Sequence, residues 1–210
     1  MPNWCCNEER ITGPREEILP LRKKLLEWTS KNYMENGCGH LWLGNIVLGA
    51  GFKVDGNGKN YLHCRGALLE EPMLYDDEET PCISFSSETA WEPLDVTWQR
   101  ILERHAPNCR YIFRAEECSM GYYAINDGDG TFFPEDFLID CDTDEPCKVP
   151  KELLDATGYE TEAWVRDFLQ KLLKLQSSDT DGLVERFNHL SEDGAFGKSN
   201  IKIHRIERVA

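Results

Sequence analysis

The chain has 210 residues, 40% of them apolar and 10% aromatic, which suits one large folded domain or a domain with an elaboration. Its formal net charge is −15, from 38 Asp+Glu against 23 Lys+Arg, a balance that repels phosphate backbones and anionic lipid. No apolar run is long enough to span a membrane, and Asn3-Trp4-Cys5-Cys6 followed by acids is unlike an export signal.

A cytoplasmic setting with reduced thiols is therefore expected for the nine cysteines, which form no C-x-x-C pair and act as small hydrophobes. Residues 5–12 read as a strand, with Cys5, Asn7, Glu9 and Ile11 on one face and Trp4, Cys6, Glu8 and Arg10 on the other. Gly13-Pro14 ends it and opens a helix with Ile18, Leu21, Leu25 and Trp28 on its apolar stripe. Pro20 either kinks that helix or restarts it. Residues 36–39 read as a loop, 40–48 as a short helix, 55–58 as a turn and 60–67 as a strand, with Tyr61, His63 and Arg65 sharing a face.

The acidic stretch 70–79 reads as a surface loop, and 82–87 as a strand with Ile83 and Phe85 inward. A helix after Pro93 buries Trp98, Ile101, Leu102 and His105, and a strand over 109–116 presents Arg110, Arg114 and Glu116 on one face. Asn126-Asp127-Gly128-Asp129-Gly130 between two short β-rich arms, 121–125 and 131–133, predicts a hairpin.

The order strand, helix, strand, strand, helix, strand predicts an α+β, ferredoxin-like split βαβ sandwich over 1–147, with a helical insertion and the extra hairpin. Residues 148–210 read as a mainly helical elaboration packed on it. Helices are expected over 151–156, over 161–175 with Trp164, Val165, Phe168 and Leu172 as its stripe, and after a Ser178-x-x-Asp181 capping box with Leu183, Val184, Phe187 and Leu190 inward. A final strand is expected over 200–209.

The phrases Met1-Pro2-Asn3-Trp4-Cys5, Ile11-Thr12-Gly13-Pro14, Trp42-Leu43-Gly44-Asn45, Cys64-Arg65-Gly66 and Glu88-Thr89-Ala90-Trp91 make residues 1–140 resemble the YubB-like proteins. These are ferredoxin-like proteins of bacterial plasmids, phages and integrated elements. The resemblance implies a fold and a genomic setting, and it transfers no catalytic residue. In that family the position of Glu9 is usually apolar.

Catalytic and metal patterns are thin. Adjacent Cys5 and Cys6 point to opposite faces of a strand and make poor joint ligands, and Cys38-x-His40 has no second chelating pair beside it. Asp140-x-Asp142-x-Asp144 lacks the Gly and Glu that complete a calcium loop. Nucleophile-elbow and phosphate-loop phrases are absent. No cofactor and no metal is expected.

One surface is left as a candidate. In a two-layer sandwich the helices cover one sheet face, and alternation puts His63, Arg65, Arg110, Arg114 and Glu116 on the other, unless the C-terminal helices cover it. RNA-recognition domains use that face with stacked aromatics, whereas this chain lacks their aromatic phrase. The leading expectation is a non-enzymatic module that binds an unidentified protein partner, with neither nucleic acid nor membrane as a direct partner. The acids clustered at 66–99 and 115–147 leave an acidic, nucleic-acid-mimicking decoy as an alternative, and His63 or Glu116 leaves a hydrolase or transferase.

Overall fold

A nine-residue strand, β1 (Trp4–Thr12), lies at the centre of a mixed α+β unit. The computed structural model describes residues 3–34, 38–54, 56–76 and 81–209, without the side chain of Cys147. The expected loop at 36–39, the turn at 55–58 and the acidic stretch at 70–79 each fall partly outside the described residues.

β1 is followed by α1 (Arg15–Thr29), α2 (Leu43–Gly49), β2 (Gly66–Leu68), β3 (Met73–Tyr75), β4 (Cys82–Ala90), α3 (Asp95–His105), β5 (Arg110–Glu117) and β6 (Tyr122–Ile125). These strands form an antiparallel sheet in the order β6-β5-β1-β4-β2, with β3 also on β4. Pro20 lies inside α1, on its exposed side, and the helix continues through it.

The period of two fixes the faces. Cys5, Asn7, Glu9 and Ile11 of β1, Ile83, Phe85, Ser87 and Thr89 of β4, and Tyr111, Phe113 and Ala115 of β5 are all buried. Ile18, Leu21, Leu25 and Trp28 of α1 and Trp98, Ile101 and Leu102 of α3 complete that core. Trp98 packs on Phe85 and Tyr111, with ring centroids 4.9 and 5.7 Å apart. α2 is the insertion, and it sits so close to α1 that a Cβ on Gly49 would fall 2.3 Å from the Trp28 ring.

Two expectations about this unit are corrected. Residues 60–65 form no strand beyond a single bridge between Lys53 and Tyr61, so only Gly66–Leu68 pairs with β4. The hairpin does not cross Asn126 to Gly130 either. β6 pairs with β5 across a turn at Cys118–Gly121, held by the Glu117 carboxylate, which accepts from the N–H groups of Ser119 and Met120 at 3.1 and 2.7 Å. Asn126 instead caps the β5 edge, accepting from Phe113 N–H at 2.6 Å and donating to Tyr111 O at 3.1 Å.

The chain divides into two compact units, Met1–Asn126 and Asp127–Ala210, where the sequence reading placed the division after 147. The second unit opens with a loop folded on buried Asp127, whose Oδ2 accepts from Phe132 and Phe133 N–H at 2.6 and 2.8 Å. Its sheet is β8 (Gly158–Glu160), β7 (Phe137–Asp142) and β9 (Asn200–Arg205), antiparallel with β7 central. Helices α4 (Lys151–Asp155), α5 (Glu162–Leu173) and α6 (Thr180–Glu192) complete it. Residues 148–210 carry the three expected helices and the final strand, as α4, α5, α6 and β9, with β8 added, and Asp140 and Asp142 belong to β7.

The core of this unit joins Phe137, Ile139, Leu153, Val165, Leu169, Phe187, Ile201 and Ile203. The cap of α6 is Asp179, accepting from Gly182 N–H at 3.0 Å, and not the expected Ser178 box. Leu190 is exposed.

Candidate functional site

The face of the first sheet opposite α1 and α3 carries the even-numbered residues of β1, β4 and β5. Cross-strand pairing builds its rows. Glu88 lies between Cys6 and Ala67, and Ala67 pairs in turn with Trp42, just before α2. In the next row Ala90 faces Trp4 and donates its N–H to Arg65 O. Small residues at 66 and 67 thus form a floor, and a tryptophan stands at either side. Trp42 and Trp4 are three strand steps apart across the sheet and two residues apart along it, roughly 16 Å between backbones.

The result is a cleft of about 260 Å³ lined by Trp4, Cys38, Trp42, Arg65, Gly66, Ala67 and Glu88. A second lobe of about 520 Å³ shares Trp42 and Arg65 and adds Leu62, His63 and Cys64. Gly66 is required by the close approach of β2 to β4: at φ 157° a Cβ would lie 2.3 Å from Glu88 O. Gly44 has the same role under Trp42, whose ring would be 2.2 Å from a Cβ there. Trp4 is 49% exposed, and Arg65 and His63 are exposed too. Among the described residues neither the Arg65 guanidinium nor the Glu88 carboxylate has a salt-bridge partner.

The five expected site residues do not form one island. His63 and Arg65 belong to the β2 edge, and Arg110, Arg114 and Glu116 to β5, with β4 and β1 between. Arg114 is drawn down by Glu8, its cross-strand neighbour, in a 2.8 Å ion pair, and its side chain is only 11% exposed. Glu116 faces Cys6 across the β1–β5 ladder. Of the five, Arg65 and His63 line the cleft. The tryptophans that wall it were not among the expected site residues, although the phrases containing them had stood out.

The two adjacent thiols of β1 are poor nucleophiles. Burial pushes the Cys5 thiol up to about 12, and burial plus the carboxylates of Glu88 and Glu116 raises that of Cys6. Among the described residues no group of His, Cys, Asp and Glu is arranged to hold a metal ion. No helix among them is long and apolar enough to cross a membrane.

The helix-covered side holds an unexpected acid. Glu9 is fully buried on the core face, with Tyr111 Oη donating to its Oε1 at 2.6 Å and no hydrogen-bond partner for Oε2. Burial pushes its carboxyl up to about 7, against the pull of the Tyr111 hydrogen bond. Beside it Asn7 Nδ2 donates to Thr89 Oγ1 at 2.8 Å and to Ser87 Oγ at 3.1 Å. This network is buried in the core, on the sheet face away from the residues that line the cleft, and belongs to the fold. No protein-family model, curated protein or solved structure matches this chain.

Proposed function

We propose that this chain is a non-enzymatic, cytoplasmic module that binds another protein through the tryptophan-walled cleft of its first unit. The observation that carries the reading is two tryptophans standing over a floor of small residues on a sheet face that α1 and α3 leave free. Large aromatic rings beside an arginine are the residue types that anchor protein interfaces.

The same reading takes the first unit as a split βαβ, ferredoxin-like sandwich of the YubB-like kind. Its support is the antiparallel order β5-β1-β4-β2 with one helix after β1 and another after β4, the arrangement that plan requires. In this frame α2 and β6 are additions.

The test is quantitative affinity purification from a native host with the wild-type chain and a Trp4→Ala/Trp42→Ala variant. A partner held by the first and lost at least tenfold by the second, with an unchanged circular dichroism spectrum, is the expected result. Equal recovery of every protein by both would sink the reading.

A further inference from the structure

We propose that the cleft between Trp4 and Trp42 receives a cationic side chain, an ammonium or guanidinium group presented by the partner. This rests on the protein-binding reading and names the chemistry of that same site.

Three features point to a cation. The first is the pair of walls. Indole rings carry negative charge on their faces and attract a cation within about 6 Å of the ring centre. Trp4 and Trp42 both line the one cleft, so a cation seated there meets indole surface from either side. The second is Glu88, beside Ala67 in the cleft lining, which supplies a carboxylate with no salt-bridge partner among the described residues. Glu116 lies in the same row, across Cys6. The third is the chain's net charge of −15, which draws in a positive segment and repels a negative one.

Arg65 sits at the junction of the two lobes and is the chain's own cation there. For an incoming cation it acts as a competitor at the mouth. Removing it should tighten binding, whereas an anion site would lose its main anchor. The sign of that one change separates the two readings.

The experiment follows the indole N–H resonances of the full chain by NMR, with Trp4 and Trp42 assigned by substitution to Phe. The probes are tetramethylammonium chloride, Nα-acetyl-lysine methylamide, tert-butanol as a neutral control and sodium acetate as the anion. The two cations should shift the Trp4 and Trp42 resonances saturably in the millimolar range, with that of Trp98 unmoved. Glu88→Gln should weaken them about threefold and Arg65→Ala tighten them about twofold. Saturable shifts with acetate, equal shifts with tert-butanol, or loss of binding in Arg65→Ala would each overturn the inference. If the cations bind and affinity purification finds no Trp-dependent partner, the protein-binding reading falls and the cation site stands. If a partner depends on the tryptophans but no cation probe binds, the cation site falls alone.

Discussion

Glu9 shows how one residue can set a whole unit's response to pH. Its carboxyl is neutral in the fold up to about pH 7, whereas in the unfolded chain it ionises near its ordinary value of 4.5. Between those values the folded state holds a proton that the unfolded state has released. Stability therefore falls as pH rises from about 4.5 to 7 and levels off above, by on the order of 3 kcal/mol at most. Glu9→Gln keeps the shape and removes the titration. It should leave the unfolding midpoint near its wild-type value at pH 4.5 and raise it by several degrees at pH 8, read by thermal denaturation at both pH values. A midpoint difference independent of pH would show that Glu9 is not the titrating group. His105 at the end of α3 is held neutral by a different set of contacts. Its Nε2 lies 3.0 Å from Ala50 O and its Nδ1 3.2 Å from Lys24 Nζ, so Nε2 carries the proton and Nδ1 accepts. Burial lowers its pKa accordingly.

Among the elements, the strands differ in how far they could be read in advance. Alternation lets Phe85 be placed inward and Arg114 outward from the residues alone, whereas on β1, with Asn7 and Glu9 on the buried face, it leaves the inward side open. β7 could not be read this way, because Phe137-Leu138-Ile139 is buried on both faces and then passes directly into exposed acids. Its partners β8 and β9 decide that it is a strand, and they come later in the chain. β2 was overdrawn for the opposite reason: Tyr61 to Arg65 alternate well, yet their backbone finds no ladder except one bridge at Tyr61. The cleft was legible only through Arg65 and His63, since the tryptophans that wall it come from positions 4 and 42 and meet through pairing no local pattern displays. Two elements give direct tests. Gly66→Ala forces a Cβ against Glu88 O and should cost about 2 kcal/mol or more, with loss of the cleft, measured by urea denaturation. Asp179→Ala removes the α6 cap and should cost about 1 kcal/mol in the same assay; a change under a few tenths would show that other groups satisfy Gly182 N–H.

At the scale of the molecule, the two units differ in what organises them. The second closes α5, α6 and β9 over β7, within a shorter stretch of chain than the first spans. The first is organised about β1, which is made earliest and sits between strands made much later. Glu9 and Tyr111 are 102 residues apart in sequence, and Asn7 and Thr89 are 82 apart. Such pairing raises contact order, and chains of that kind close their loops before any contact repays the entropy lost. Refolding of the first unit should therefore take milliseconds to seconds, followed by stopped-flow tryptophan fluorescence; a sub-millisecond phase carrying the full amplitude would contradict it. During synthesis β1 has neither neighbour until β4 and then β5 have left the ribosome. For most of that time a nascent chain carries its central strand unpaired, with both edges open to any other strand it meets.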